Sequence, residues 1–129
     1  MIEILQHDYS LGIAPPRAMF HPSRRMTVAS IMGVVADYYG IPLYEMTSAR
    51  RSREVARPRQ VAMYLAHVGC GVSLTEVGRL FERDRTTVAH ACGLIEDKRD
   101  DPDFDYRLDH LERAVSCLID ALSMHQARR

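Results

Sequence analysis

The sequence predicts an all-α fold: a helical bundle with an embedded helix-turn-helix and a long C-terminal helix. Apolar residues recur at helical spacing over most of the chain, and no segment alternates as a strand would. Near the middle, a three-residue break separates two short periodic segments, as expected for the two helices of a helix-turn-helix. The 129 residues have the length of a single domain.

Composition excludes several classes of protein. No apolar run reaches the roughly 18 residues that a membrane span requires, and the first residues lack the pattern of a secretory signal. The cysteines, Cys70, Cys92 and Cys117, lie 22 and 25 residues apart. This spacing fits neither a zinc site nor a disulfide framework, so we expect three small buried side chains. The sequence predicts a cytoplasmic protein with no metal and no other cofactor.

The net charge is zero, but the charges are unevenly distributed along the chain. Residues 47–99 carry a net charge of +4, whereas residues 1–46 carry −1 and residues 100–129 carry −3. Arginine supplies sixteen of the seventeen basic residues and suits bidentate contacts with phosphate or guanine. A GC-rich genome would also favour arginine codons. The positions of the arginines are therefore more informative than their number.

Four segments are predicted before the second helix. Residues 1–23 have no persistent period and are predicted to be irregular. A first helix is predicted over residues 25–39 and ends at Gly40 and Pro42. A turn at residues 43–46 and a polar, basic loop at residues 47–53 follow. The inward positions of the first helix are predicted to be Val28, Ile31, Val35 and Tyr38.

The second helix is predicted to begin near Pro58, because proline is well tolerated in a first turn. Its predicted buried face is Val61, Leu65 and Val68, and Gly69 and Gly71 end it. Ser73 and Glu76 then fit a capping box for a third helix over residues 73–81. Asp84 suits the N-cap of a fourth helix over residues 86–98, in which Val88, Cys92 and Ile95 face inward.

The last predicted helix, residues 104–124, has apolar residues at heptad spacing. This seam has two interpretations: the helix packs onto the core of its own domain, or residues 104–122 form a homodimer or bind a partner helix. The seam consists of Phe104, Leu108, Leu111, Val115, Leu118 and Leu122.

The start of the fourth helix carries the chemistry expected of a DNA-reading element. In a helix-turn-helix, the N-terminal residues of the second helix enter the major groove. Arg85 can contact guanine, Asp84 can accept from cytosine, and Thr86 and Thr87 offer hydroxyl and methyl groups. His90 lies one turn further along, on the DNA side or on the solvent side.

An arginine-rich segment precedes this element. Five arginines fall within residues 50–59 and only Glu54 opposes them, which is also compatible with a solvated basic loop. Beside a helix-turn-helix, such a segment suits insertion into a narrow minor groove, where the potential is most negative. On the second helix, Arg59 and Gln60 suit phosphate contacts. The arginines are Arg50, Arg51, Arg53, Arg57 and Arg59.

Two blocks of the sequence resemble the C-terminal DNA-binding domain, domain IV, of the bacterial replication initiator DnaA. The first is residues 50–65, RRSREVARPRQVAMYL. The second is residues 73–81, SLTEVGRLF, which runs on to residues 84–91, DRTTVAHA. Residues 35–41, VADYYGI, agree as well, so the resemblance covers about residues 26–100.

The resemblance implies an all-α, Trp-repressor-like bundle that binds a nonamer of double-stranded DNA called the DnaA box. By correspondence, Arg51 reads bases in the minor groove, and Arg59 and Gln60 contact phosphates. Residues 84–87 correspond to the residues that read the major groove. The interface predicted on all these grounds comprises Arg50, Arg51, Arg53, Arg57, Arg59, Gln60, His67, Ser73, Thr75, Asp84, Arg85, Thr86, Thr87 and His90.

The sequence departs from the family pattern at the base-reading surface. Arg85 replaces a histidine, His67 replaces a basic residue that reads bases, and Thr75 replaces a proline that touches thymine. The turn before Asp84 is one residue shorter than the common form, with Glu82 where Gly-Gly often stands. We therefore expect DNA binding to persist and the preferred sequence to differ from the DnaA box.

The remaining expectations concern function. The sequence has no GxxxxGK[ST] motif, so we expect a free-standing DNA reader that binds no nucleotide and catalyses no reaction. We divide it into an irregular segment (residues 1–23), a DNA-binding domain (24–101) and an amphipathic helix (102–129). The expected role is transcription regulation or modulation of replication initiation at the bacterial nucleoid. The alternatives are a protein-interaction module using the heptad helix and non-specific nucleoid binding.

Overall fold

A computed structural model describes residues 23–127, and the side chains of residues 23–124. In this part of the chain every regular element is helical, which confirms the predicted all-α fold. Of the predicted irregular segment, residues 1–23, all but Ser23 lie outside the described residues. The elements are α1 (Arg24–Tyr39), a 3₁₀ turn (Leu43–Met46), α2 (Arg53–Tyr64), a π-helical turn (Leu65–Gly69), α3 (Leu74–Phe81), α4 (Arg85–Lys98) and α5 (Pro102–Ala127).

Helix α1 has caps at both ends. The Ser23 hydroxyl accepts a hydrogen bond from the Met26 amide at 3.1 Å, and Gly40 ends the helix in the left-handed region at a φ of 69°. The prediction that Tyr38 faces inward is wrong, because its side chain is 47% exposed. Tyr39, four residues after the buried Val35, packs against the core in its place.

Helix α2 begins five residues before Pro58, so the predicted start of this helix is wrong. Ser52 is the N-cap residue, and its carbonyl accepts from the amides of Val55 and Ala56. Pro58 lies inside α2 and cannot donate to the carbonyl of Glu54, so the helix lacks one backbone hydrogen bond there. Arg53 is therefore helical rather than part of the loop.

The π-helical turn changes which side chains face the core. Leu65 and Ala66 are buried, whereas Val68 is 51% exposed, so the prediction that Val68 faces inward is wrong. A π turn holds more residues than an α turn and thereby rotates the residues that follow. The segment closes at Gly71, which has a φ of 73°.

Helices α3 and α4 form the predicted helix-turn-helix. The Ser73 hydroxyl accepts from the Glu76 amide at 3.1 Å, which is half of the predicted capping box. The other half is absent, because the Glu76 carboxylate pairs with Arg79 at 2.6 Å. Asp84 occupies the predicted N-cap position of α4, but its side chain makes no capping hydrogen bond.

The turn between α3 and α4 is tight. A Cβ atom on Gly78 would lie 2.6 Å from the carbonyl oxygen of Arg83, so the turn requires glycine at this position. Glu82 ends α3 in the left-handed region, at a φ of 58°. It is the only non-glycine residue with a positive φ in the described part of the chain. The shortened turn is therefore closed by a residue that does not favour this conformation.

Helix α5 packs along α1 and completes a core shared by all five helices. Phe104, Leu108, Leu111 and Val115 belong to this core, which favours the intramolecular interpretation of the heptad seam. Further along, Ile119 packs on the core and Ser123 is buried, while Leu118 and Leu122 are only half-buried. The buried stripe thus drifts as expected for 3.6 residues per turn.

The cysteines differ in burial. Cys92 is buried as predicted, but Cys70 and Cys117 are exposed, so the prediction is wrong for these two residues. Cys70 directly follows the π-helical turn, and Cys117 lies outside the buried stripe of α5. Over residues 23–127, no group of three His, Cys, Asp or Glu residues could hold a metal ion. None of the described helices has both the length and the apolar character needed to cross a membrane.

Candidate nucleic-acid interface

The first residues of α4 form an exposed polar surface. Asp84, Arg85, Thr86 and Thr87 are all exposed, because the helix turns Val88 and later apolar residues toward the core. His90, one turn beyond Thr86, is exposed as well. The free amides of a helix N-terminus lie among these side chains and favour a negatively charged group.

The arginines preceding and within α2 differ in how far they are paired. Arg50 forms an ion pair with Glu45 at 2.8 Å, and Arg57 donates to the side chain of Gln60 at 2.8 Å. Arg51 and Arg53 are exposed and make no hydrogen bond or ion pair with other residues in the described part of the chain. These two guanidinium groups are therefore fully available to a phosphate or a base.

Arg59 is buried, which sequence reasoning did not anticipate. Its residue exposure is 6%, its Nε donates to the Glu45 carbonyl at 2.7 Å, and its Nη2 donates to the Ser48 hydroxyl at 2.8 Å. Burial lowers the pKa of the Arg59 guanidinium, with Arg83 adding to this effect. Arg59 therefore lies buried under the loop. It is also not on the first turn of α2, because that helix begins at Arg53.

Glu45 accepts hydrogen bonds from several residues beneath the loop, and it was absent from the predicted interface. Its side chain is 4% exposed. Hydrogen bonds from the Ser48 hydroxyl and from Arg50 hold the pKa of the Glu45 carboxyl below its usual value. The available sequence signal was its position as the only acidic residue between Asp37 and Glu54, five residues before the first of five arginines.

Arg83, also missed, joins the loop to the helix-turn-helix. Its Nη2 donates to the Ser48 carbonyl at 2.6 Å, and its Nη1 donates to the carbonyls of Phe81 at 3.2 Å and Glu82 at 3.3 Å. The loop and the turn therefore share one guanidinium group. Its position in the turn between the two helices was the signal available in the sequence.

A basic cleft of about 640 Å³ results from this arrangement. Arg51 from the loop and Thr87 from α4 both line it, and Arg59 and Arg83 supply further positive charge. Ala49, Ala56 and Glu82 complete the lining. Two parts of the predicted interface, far apart in sequence, thus face a single concave surface. We call this surface the arginine cleft.

Of the fourteen predicted interface residues, Arg51, Arg59 and Thr87 line the arginine cleft, and the other eleven lie outside its lining, among them His67, Ser73 and Thr75. The Nδ1 atom of half-buried His67 donates to the Val72 carbonyl at 2.7 Å, which fixes the imidazole against the segment before α3. Ser73 and Thr75 are exposed at the start of α3. These residues can only belong to an interface that extends past the cleft along the beginning of α3.

Arg99 contributes little to the basic surface, because α5 neutralises it. Its guanidinium pairs with Asp105 at 2.6 Å, Asp109 at 2.8 Å and Glu112 at 3.2 Å. Burial lowers the pKa of Arg99, but hydrogen bonds to these carboxylates and to the Tyr64 hydroxyl outweigh burial and raise it. The acidic residues of α5 are therefore tied to Arg99 at the C-terminal end of α4.

Comparison with known families gives one match that covers more than half of the chain. The family model described as the bacterial DnaA protein helix-turn-helix matches residues 28–95. The chain belongs to the DnaA family. This membership confirms the resemblance found in the sequence, and the match extends from α1 to within α4.

Individual DnaA proteins give the same result. The chain is 51% identical over 83 residues to the chromosomal replication initiator DnaA of Laribacter hongkongensis, covering 63% of this chain and 17% of that protein. It is 43% identical over 95 residues to the DnaA of Burkholderia multivorans, covering 72% of this chain and 18% of that protein. The chain thus spans less than a fifth of the length of these curated DnaA relatives.

Two solved structures share the fold of this DnaA-family chain. A DNA replication initiation factor superposes with a TM-score of 0.69 at 32% identity, covering 74% of this chain and 30% of that one. The replication initiator DnaA bound to AMPPCP and single-stranded DNA superposes with a TM-score of 0.64, also at 32% identity. It covers 70% of this chain and 28% of that one.

Proposed function

We propose that this protein binds double-stranded DNA at a sequence related to the DnaA box. The observation that carries the proposal is the arginine cleft, in which Arg51 and Thr87 face a single concave surface. A loop arginine beside the N-terminus of a recognition helix allows one protein face to contact a minor groove and the adjacent major groove. Membership in the DnaA family supports this arrangement.

In the major groove, the exposed start of α4 supplies the base contacts. Arg85 offers two parallel donors to the O6 and N7 atoms of guanine, and the methyl groups of Thr86 and Thr87 suit thymine. Asp84 makes no capping hydrogen bond, so its carboxylate is available to accept from the N4 of cytosine. The helix N-terminus lies against a backbone phosphate.

In the minor groove, Arg51 supplies the contact, because its guanidinium is exposed and unpaired within residues 23–127. Arg53, Arg57 and Gln60 follow on the exposed side of α2 and suit phosphates flanking the groove. We assign Arg59 a different role from the one that the resemblance implied. Its burial makes it a support for the loop, with at most its edge exposed in the arginine cleft.

The target sequence differs from the consensus DnaA box in this proposal. Arg85 favours guanine where the family's histidine stands, and the turn closed by Glu82 changes how α4 is presented. His67 donates to the Val72 carbonyl, which limits its reach toward a base. Arg51 and Gln60 match the family residues for the minor groove and for a phosphate, so affinity for DNA persists while base preference changes.

The role that follows is regulation by occupancy of DNA, without catalysis. Such a protein acts as a transcription regulator, or modulates replication initiation by competing for the initiator's sites. The homodimer predicted through residues 104–122 stays a prediction. Four of its six seam residues already pack in the protein's own core, so any dimer would use other faces of α5.

Fluorescence anisotropy at physiological salt, about 0.15 M, tests the proposal. We expect selective binding to a duplex with one DnaA box over a scrambled duplex, and tighter binding to duplexes selected from random sequence. Arg51→Ala should weaken binding about tenfold or more, in the range of a lost base contact. Arg113→Ala, which removes an exposed arginine on α5, is the matched control.

Two results would contradict this function. Equal affinity for selected and scrambled duplexes would indicate non-specific nucleoid binding. No binding to any duplex at low salt would leave the protein-interaction alternative. In the expected case, the logarithm of affinity falls linearly with the logarithm of salt concentration, because the arginines release counterions from the DNA.

A further inference from the structure

We propose that Arg83 is a positioning residue that holds the loop at residues 47–52 against the helix-turn-helix, so that Arg51 and Thr87 engage DNA together. This inference rests on the proposed function and deepens it. It concerns a residue outside the predicted interface. It assigns to this one side chain the joint placement of the minor-groove contact and the major-groove contacts.

The contacts of Arg83 span two segments that are distant in sequence. Its Nη2 donates to the carbonyl of Ser48, 35 residues earlier, at 2.6 Å. Its Nη1 donates to the carbonyls of Phe81 and Glu82, at the end of α3. A planar guanidinium with several fixed donors suits such a bridge, whereas a lysine ammonium presents all its donors from a single atom.

A second connection holds the same loop from the other side. The Ser48 hydroxyl accepts from Arg59 Nη2 at 2.8 Å, and Arg59 Nε donates to the Glu45 carbonyl at 2.7 Å. Ser48 is thereby tied to α2 through its side chain and to the helix-turn-helix through its backbone. Arg51 follows only three residues later, which restricts where its guanidinium can lie.

The hydrogen bonding of Arg83 differs from that expected of an arginine whose guanidinium is free to contact DNA. Both of its terminal nitrogens donate to backbone carbonyls, and the residue is half-buried. Arg51 is exposed and makes no such bond in the described part of the chain. The geometry therefore assigns Arg51 to direct contact and Arg83 to the placement of Arg51.

The energetic consequence is that the affinity contributed by the Arg51 contact depends on Arg83. A loop that is ordered before binding loses little conformational entropy when DNA binds, whereas a loose loop loses more and its contacts contribute less. Without the Arg83 bridge, Arg51 retains its charge but no longer lies at a fixed distance from α4. The affinity that Arg51 contributes should then shrink.

A double-mutant cycle measures this dependence. The dissociation constant is determined for wild type, Arg51→Ala, Arg83→Lys and the double variant. The probe is the duplex recovered by wild type from random sequence. We expect Arg51→Ala to weaken binding about tenfold or more in wild type, but less than about threefold in the Arg83→Lys protein. Arg79→Lys, on α3, is the matched control, and in that protein Arg51→Ala should still weaken binding about tenfold or more.

Arg83→Lys keeps the positive charge. The slope of the logarithm of affinity against the logarithm of salt concentration should therefore differ from that of wild type by less than the contribution of one phosphate contact. A purely structural role would lower the affinity of Arg83→Lys and of the double variant by the same factor. It would therefore leave the effect of Arg51→Ala unchanged. Arg83→Met, which keeps a long side chain but removes the donors to the Ser48, Phe81 and Glu82 carbonyls, provides a second background if Arg83→Lys does not fold.

The outcomes separate this inference from the proposed function. An equal effect of Arg51→Ala in wild-type and Arg83→Lys proteins overturns the positioning role alone and leaves DNA binding by the cleft intact. No effect of Arg51→Ala in wild type overturns both, because no minor-groove contact then exists to be positioned.

Discussion

Gly78 and Arg83 approach so closely that an added Cβ atom on Gly78 would lie 2.6 Å from the carbonyl oxygen of Arg83. The same turn contains the hydrogen bond from the Arg83 amide to the Gly78 carbonyl, at 2.8 Å. Gly78 therefore permits the short connection between α3 and α4, and with it the placement of Arg83 and the start of α4.

Gly78→Ala should lower the free energy of unfolding by about 1–3 kcal/mol, the usual cost of forcing a group into a packed site. The measurement is urea unfolding followed by circular dichroism. Gly33→Ala on α1 is the matched control, because no atom lies within 4 Å of its added Cβ. That variant should gain about 0.5–1 kcal/mol from the better helix propensity of alanine. Destabilisation of both proteins by similar amounts would show that crowding at the turn is not the cause.

Glu82→Gly should raise the free energy of unfolding by up to about 1 kcal/mol, because an L-residue is strained in the left-handed region and glycine is not. Glu82 has a φ of 58°. Glu82→Ala keeps the strained conformation and removes only the carboxylate, so it should change stability little. If both variants gain stability equally, the charge of Glu82 is responsible and its backbone conformation is not.

Sequence reasoning succeeded where structure is determined by neighbouring residues. Ser73 and Gly40 were identified as helix ends because a capping hydroxyl and a left-handed glycine act within a few residues. Asp84 was also placed correctly at the start of α4, although its side chain makes no capping hydrogen bond. The family resemblance rested on contiguous blocks that lie on α2, α3 and α4, which the family match then confirmed.

Sequence reasoning failed where tertiary contacts decide the outcome. Pro58 suggested a helix start, but the helix begins earlier, after the N-cap Ser52 and with Val55 buried. Arg59 stood among exposed arginines in the sequence, and only the fold brings Glu45 and Ser48 to its guanidinium. The heptad spacing of α5 did not distinguish a dimer from the protein's own core, because both bury the same positions.

The carboxyl of Glu45 should make stability depend on pH in acid. Its pKa is held below the ordinary value of 4.5, chiefly by the Ser48 hydroxyl and next by Arg50. Since the pKa is lower in the folded than in the unfolded protein, this group stabilises the fold above pH 4.5. The contribution is lost as the pH falls through the lowered value.

Glu45→Gln removes that titration. The difference in free energy of unfolding between wild type and this variant should therefore be largest near neutral pH and shrink below about pH 4. Ser48→Ala removes the main hydrogen bond that lowers the pKa, so its acid-unfolding midpoint should move to higher pH. A wild-type-to-Gln difference that stays constant from pH 7 to pH 3 would contradict this role for Glu45.

Arg85→His should move the preferred DNA sequence toward the consensus DnaA box. Arg85 is the first residue of α4, exposed and without a hydrogen-bonding partner among the described side chains. A bidentate contact from arginine to guanine is worth about 1–3 kcal/mol of discrimination, and a histidine cannot form it. Binding-site selection from random duplexes, run in parallel for wild type and Arg85→His, reads the change directly. Arg53→His is the control and should keep the wild-type motif, because we assign Arg53 to a phosphate. Identical motifs for wild type and Arg85→His would show that Arg85 does not read a base.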